Sequence, residues 1–253
     1  MERGPSAAEL FDRSLATLVQ SWAYLASGSP GAEVIDADGA AIAVFVHRPD
    51  REFLNNAVLA RGIGDPGPAL DAVERAYAKR GVERYAVWVH ESEASVSRAV
   101  EARGYGYDSS TRTMAMPIAA PAEVDTSMLD LVEPSLERFW AVDGLDGLVP
   151  DLSAERAHFY VARFEGGDAA MLMAFDYDGD CGIYVVGTRP EARRHGLATA
   201  LSAHAVEQAR ERGCVTVSLQ STEMAESVYA RVGFRDLGRF DEYTPNQSSK
   251  GEK

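Results

Sequence analysis

Residues 185–201 read VVGTRPEARRHGLATAL, and this stretch decides the fold class. An apolar run ends at Gly187, a proline follows at Pro190, and an amphipathic helix pattern begins at Gly196. A strand that turns into a helix leaves the first N–H groups of the helix unpaired, and together with the positive end of the helix dipole they bind anions. The stretch therefore predicts a phosphate-binding turn between a strand and a helix.

The same stretch resembles the acyl-CoA signature of the GNAT superfamily of acyltransferases, R/Q-x-x-G-x-G/A after a strand. Arg193, Gly196 and Ala198 stand in its three defining places. Gly196 lets a diphosphate approach the main chain, and the small Ala198 keeps the first helical turn open. The resemblance implies an α/β fold of the GNAT type (α+β, with a mixed sheet), acetyl-CoA as co-substrate and no metal.

What the resemblance implies for the cofactor can be placed on this sequence. In family members the strand before the turn holds the pantetheine arm, so the acyl group is expected beside Val185 and Val186. Arg189 is expected to add a third positive charge beside the paired arginines. The cofactor-binding residues predicted in this way are Val185, Val186, Arg193, Arg194, His195, Gly196, Leu197, Ala198, Thr199, Thr222 and Ala225.

A second stretch, residues 220–234 with the sequence QSTEMAESVYARVGF, resembles the closing pattern of the family, N-x-x-A-x-x-x-Y-x-x-x-G-F. Thr222 stands where the pattern has Asn, whose side chain contacts the pantetheine arm in family members. The resemblance implies that Tyr229 lies near the thioester sulfur and protonates the departing thiolate as a general acid. The alternative is that its ring only packs.

The sequence does not supply a general base. Many relatives carry a Glu on the strand before the signature, but residues 181–186 read CGIYVV. Tyr184 is expected to line the acceptor pocket or to hold a water. Asp176, Asp178 and Asp180 surround an Asp-Gly turn and are interpreted as solvated, so no base is assigned.

The two halves of the chain repeat a pattern. ALDAVERAYAKRG at residues 69–81 aligns with LSAHAVEQARERG at 201–213, and AVEARGY at 99–105 aligns with VYARVGF at 228–234. Aligned helix–strand–helix units indicate duplication, although any two α/β units share some of this pattern.

We therefore predict two tandem mixed-sheet GNAT-like lobes. Residues 6–118 form a degenerate lobe, residues 123–245 the catalytic domain and residues 246–253 a disordered tail. In the first lobe Pro66 falls opposite Ala198 and removes a donor N–H, so this copy is expected to bind no coenzyme A and to have a structural role.

Composition limits the partners. The net charge of −14 repels nucleic acid and anionic membrane surfaces but suits a cationic amine. No apolar run approaches the roughly 20 residues of a membrane span, and the first residues are not those of a signal peptide. We expect a cytoplasmic protein that binds neither nucleic acid nor membrane. The oligomeric state stays open.

The predicted function is an acetyl-CoA-dependent N-acetyltransferase that moves an acetyl group to a primary amine of a small molecule by direct attack on the thioester. The alternatives are a non-catalytic acyl-CoA-binding or scaffold protein and a protein lysine or N-terminal acetyltransferase. The missing base favours a scaffold, whereas the intact arginine turn together with Tyr229 favours an enzyme.

Overall fold

The computed structural model describes residues 4–119, 123–145 and 147–246. Its contacts divide them into two compact units, each built from two separate segments of the chain. The first unit contains residues 4–21 and 112–237. The second unit contains residues 22–111 and 238–246.

The helices are α1 (Ala7–Ser27), α2 (Gly67–Arg80), α3 (Ala94–Ala102), α4 (Leu136–Ala141), α5 (Leu197–Glu211) and α6 (Glu226–Val232). The strands are β1 (Glu33–Ala37), β2 (Ala40–Val44), β3 (Asn56–Leu59), β4 (Ala86–His90), β5 (Tyr105–Pro117), β6 (Asp130–Val132), β7 (His158–Phe164), β8 (Gly167–Tyr177), β9 (Asp180–Thr188), β10 (Thr216–Ser221) and β11 (Arg235–Pro245). Short 3₁₀ turns lie at Glu52–Leu54, Pro190–Ala192 and Glu223–Ala225. Among the described residues no helix is both long and apolar enough to cross a membrane.

The sheet of the first unit runs in the order β5, β10, β9, β8, β7, β6, where β5 contributes residues 112–117. The strands β9 and β10 are parallel, and the other neighbours are antiparallel. Helix α5 packs on one face of this sheet. The apolar face of this amphipathic helix is buried, at Leu197, Leu201, Ala205 and Ala209.

The opposite face of β9 and β10 is polar. Asp180, which we interpreted as part of a solvated turn, is only 1% exposed and accepts hydrogen bonds from Thr216 Oγ1 (2.7 Å) and Ser218 Oγ (2.6 Å). Residues of α1 also border this face, since Gln220 Nε2 donates to Ser14 Oγ at 3.1 Å. The solvated interpretation is therefore wrong for Asp180, because alternation along β9 turns its side chain under α1.

The sheet of the second unit runs β1, β2, β3, β4 and then residues 238–245 of β11. The strands β3 and β4 are parallel, and the other neighbours are antiparallel. Helix α2 covers one face, where the hydroxyl of Tyr77 donates to the carbonyl of Ala43 at 2.9 Å. Tyr243, from the C-terminal segment, is buried in this core.

If the chain divided into two lobes near residue 120, β5 would pair within the first half and β11 within the second half. The observed pairing is different. Residues 112–117 of β5 pair with β10, in the first unit. Phe240–Tyr243 of β11 pair with β4, in the second unit. Of the predicted tail, residue 246 is described, and its N–H donates to Gly104 at 3.0 Å, whereas residues 247–253 lie outside the described residues.

Candidate active site

The site begins at a bulge in β9. Met171 of β8 lies opposite Gly187, whereas Met173 lies opposite Tyr184, so β9 carries one residue more than β8 across this interval. The bulge contains Val185 with φ of 51°. A left-handed conformation costs a β-branched residue about 1–2 kcal/mol, and such strain together with a bulge is typical of functional sites.

The bulge coincides with the point where β9 leaves β10. The parallel register of the two strands runs from Thr216 opposite Asp180 to Leu219 opposite Ile183. Beyond this point, residues 186–188 line a cavity. Main-chain groups on that edge of β9 can therefore pair with an extended ligand.

The turn after β9 has the geometry of an anion site. Arg194 has φ of 65° and Gly196, the N-cap of α5, has φ of 84°. A side chain at Gly196 would be strained by this backbone conformation. No side chain caps α5, so its first N–H groups face the turn without a side-chain acceptor.

Three arginines line the cavity beside this turn, namely Arg193, Arg194 and Arg231. The predicted third arginine, Arg189, has another role. Arg189 donates from Nε and Nη2 to the carbonyls of Val142 (3.1 Å) and Ala141 (3.2 Å), so it caps the C-terminal end of α4 instead of facing the cavity. Arg193 lines the cavity while its Nε donates to the Thr188 carbonyl at 3.0 Å. Arg194 and Arg231 also line the cavity. Sequence reasoning missed Arg231, which lies two residues after Tyr229 on α6.

One cavity of about 620 Å³ brings the two sequence signatures together. The predicted residues that line it are Val186, Arg193, Arg194, Gly196, Leu197, Ala198, Thr199, Ala225 and Tyr229. Its other lining residues are Asp143, Gly187, Thr188, Ala192, Met224, Ser227, Val228 and Arg231.

Four predicted site residues do not line this cavity. Val185 forms the bulge. The ring of His195 packs against that of Phe164, with centroids 4.5 Å apart. Thr222 precedes the 3₁₀ turn that leads into α6.

Tyr184 is the fourth predicted site residue that does not line the cavity. Its ring lies back over Gly182, where an added Cβ would clash with the ring and hydroxyl of Tyr184. Burial raises the pKa of this phenol well above its usual range, with Asp180 contributing in the same direction. The hydroxyl is therefore turned toward the buried polar face and away from the cavity.

Tyr229 on α6 is 6% exposed and reaches the cavity wall. Its ring meets Phe234 edge to face, with centroids 6.0 Å apart. Burial raises the pKa of Tyr229 to about 12. The phenol is consequently protonated at neutral pH and is able to donate a proton.

Two other acids of the first unit already have partners. Asp176 accepts two hydrogen bonds from Arg212, at 2.6 and 2.9 Å. Glu226 pairs with Arg112 at 2.9 Å. Among the described residues no cluster of three or more His, Cys, Asp or Glu side chains has the arrangement of a metal site.

The sequence is similar to those of known acetyltransferases. The model of the acetyltransferase (GNAT) family matches residues 126–234. A mycothiol acetyltransferase from Clavibacter sepedonicus is 27% identical over 248 residues, covering 80% of each chain.

Two solved structures share the fold. A GCN5-related N-acetyltransferase from Kribbella flavida superimposes with a TM-score of 0.68 at 18% identity, covering 94% of this chain and 96% of that one. A tandem GNAT protein from the clavulanic acid biosynthesis pathway superimposes with a TM-score of 0.59 at 14% identity, with the same coverage of 94% and 96%.

Proposed function

We propose a substrate and a mechanism for this chain, which is a GNAT-family N-acetyltransferase. It moves an acetyl group from acetyl-CoA to a primary amine of a small molecule, by direct attack of the amine on the thioester. The observation that carries the proposal is that the uncapped N-terminus of α5, the bulged end of β9 and Tyr229 all border one cavity.

The residues of this cavity fit coenzyme A. The N–H groups at the start of α5 and the guanidinium groups of Arg193 and Arg194 suit a diphosphate. The main chain of residues 186–188 suits the pantetheine arm, because an amide-containing chain can hydrogen-bond along a strand edge. With this assignment the proposed position of the thioester is near the bulge, on the side of α6.

Tyr229 then serves the leaving group. As the amine nitrogen bonds to the carbonyl carbon and the C–S bond breaks, the Tyr229 phenol gives its proton to the thiolate. The acylated nitrogen releases one proton to water, and Tyr229 regains a proton from water. A main-chain N–H near Val186 suits the carbonyl oxygen, on which negative charge develops.

Two observations support the proposed identity of the acceptor as an amine and of the transferred group as acetyl. The net charge of −14 favours encounter with a cationic amine. The name of the relative, mycothiol acetyltransferase, supports an acetyl group as the transferred group. A cytoplasmic location, where acetyl-CoA is available, is part of the same proposal.

The first half of the chain is proposed as a degenerate copy without coenzyme A. At the start of α2 the N–H of Gly67 donates to Asp65 Oδ1 at 2.9 Å, and Pro66 and Pro68 have no N–H to offer. The carboxylate of Asp65 therefore already occupies the helix end at which an anion would bind. The likeness to a tandem GNAT protein supports two copies in one chain.

Calorimetry with acetyl-CoA tests this proposal. Wild type is expected to bind one equivalent, and Ala198→Pro, which places the proline of α2 into α5, is expected to bind at least about tenfold more weakly while remaining folded. Thermal unfolding is the control for the variant, because proline is tolerated in a first helical turn. Binding of two equivalents would overturn the degenerate copy, and no binding would overturn the acyl-CoA site.

A further inference from the structure

We infer that Asp143 is the carboxylate that binds the ammonium group of the acceptor and takes up its proton during acetyl transfer. The inference rests on the proposed function, and it supplies the base that the sequence does not show. Asp143 follows α4, is exposed, and lines the same cavity as Tyr229.

The position of Asp143 is defined by its neighbour on the bulged strand. A Cβ built on Gly187 would stand 3.5 Å from the Cβ of Asp143. Arg189, at the end of β9, holds the carbonyls of Ala141 and Val142. The main chain before Asp143 is thereby held, and the Cβ of Asp143 lies beside the main chain that we assign to the pantetheine arm.

Asp143 and Tyr229 reach this main chain from opposite sides. The missing side chain of Gly187 points to Asp143 and to Met171, whose Cε is 3.1 Å away. The neighbouring Val186 instead packs against the apolar cluster that contains Tyr229 and α5. An acid on one side and a carboxylate on the other suit a reaction in which the amine enters as the thiolate leaves.

Other acids of the first unit do not meet this requirement. Asp143 is the single acidic side chain among the described residues that line the cavity. Asp180 lies five residues before Val185, roughly 16 Å along the strand, and already accepts two hydroxyl hydrogen bonds. Glu226 is paired with Arg112.

The proton balance is complete with these groups. The ammonium first gives one proton to Asp143, and the neutral amine nitrogen then bonds to the carbonyl carbon. The C–S bond breaks, the thiolate receives the proton of Tyr229, and the acylated nitrogen loses its second proton to water. Asp143 releases its proton to water and Tyr229 regains one, so amide, free thiol and one proton result. The other charged groups of the cavity, Arg193, Arg194 and Arg231, stay positive throughout.

The test compares wild type with Asp143→Asn, and uses as acceptor the alkylamine that wild type acetylates fastest in a panel of primary amines. At pH 7, kcat/KM for the amine is expected to fall by at least about 100-fold, the usual range for a lost general base. At pH 10, where much of the amine is already neutral, the loss is expected to shrink to less than about tenfold. The Kd of acetyl-CoA is expected to stay within about twofold, because Asp143 holds no phosphate.

The matched control is Asp151→Asn, an exposed acid on the same connection after α4 that does not line the cavity. It makes the same change in charge and should leave kcat/KM unchanged. A defect of Asp143→Asn that is equal at pH 7 and pH 10, or an unchanged kcat/KM, would overturn the role of Asp143 while leaving the proposed function intact. Absence of turnover by wild type on every amine would overturn both.

Discussion

Tyr229 illustrates how burial makes an ordinary side chain fit for its task. Its phenol is nearly enclosed, and burial raises its pKa to about 12. A proton donor must still carry its proton when the leaving group departs, and this phenol does so across the physiological range.

We predict that Tyr229→Phe lowers kcat by about 10- to 100-fold, because the thiolate must then take its proton from water. Acetyl-CoA binding should be unchanged by calorimetry, since the ring remains. The wild-type rate should show no decline from ionisation of Tyr229 below about pH 11, because the group loses its proton only near its raised pKa. Tyr177→Phe, at an exposed hairpin, is the control. An equal kcat for Tyr229→Phe would leave the ring with a packing role.

Asp180 is the second residue whose environment decides its behaviour. Burial raises its pKa, and the hydroxyls of Thr216 and Ser218 lower it only in part. We predict that Asp180→Ala lowers the free energy of unfolding by about 2–3 kcal/mol, because two buried hydroxyls lose their acceptor. Denaturant unfolding measures this loss, and a change below about 0.5 kcal/mol would contradict it.

The pH dependence of Asp180 gives a separate check. A carboxyl whose pKa is raised by folding is most favourable below its unfolded pKa, and its contribution to stability declines as pH rises through the folded pKa. The stability of wild type relative to Asp180→Asn should therefore decrease as pH rises from about 4. A difference that stays constant between pH 4 and pH 7 would mean that the pKa is not raised.

At the scale of elements, the C-terminal end of α5 is tied to β8 by Arg212 and Asp176. Burial raises the pKa of Asp176, but its hydrogen bonds with Arg212 and His158 outweigh burial and lower it. A lowered pKa contributes stability that is present above the unfolded pKa, near 4, and is lost as pH falls through the folded value.

We predict that Asp176→Asn destabilises the protein by about 1–3 kcal/mol at pH 7, since it leaves a partly buried guanidinium without its charge partner. The difference should shrink as pH falls from about 4 and through the lowered pKa of Asp176, where wild type also loses its carboxylate. Thermal unfolding across this range measures it. Glu207→Gln, which removes the exposed pair with Arg210, should change stability by less than about 0.5 kcal/mol. A pH-independent loss at Asp176 would contradict the ion-pair explanation.

At the scale of the whole molecule, each compact unit depends on two segments that are far apart in the chain. The unit that holds the candidate site needs residues 112–117 beside β10 and residues 4–21 over the polar face. Residues 240–243 pair with β4 of the other unit.

We predict that the isolated segment 123–245, which the sequence suggests as the catalytic domain, does not fold cooperatively. Its strand β10 would lose the partner on one edge, and β11 would have no β4 to pair with, so both edges would expose unpaired main chain. Circular dichroism during thermal unfolding, with the full chain as reference, tests this expectation. A cooperative transition with acetyl-CoA binding would establish 123–245 as an independent domain.

The sequence by itself determined the features that depend on neighbours along the chain. The turn at Gly196 and the amphipathic helix that begins there were both predicted, and α5 starts one residue later, at Leu197. Each of these features follows from helical periodicity or from the conformational freedom of glycine, and both properties are written in a few consecutive residues.

Only the tertiary structure decided the rest. It placed Asp143 in the cavity, buried Asp180 and directed Arg189 to the end of α4. It also paired β5 with β10 and β11 with β4. Strand periodicity tells which side chains share a face but not which distant strand lies beside them. The neighbours of a carboxylate or guanidinium, and hence its chemistry, are therefore fixed by long-range pairing that no local pattern contains.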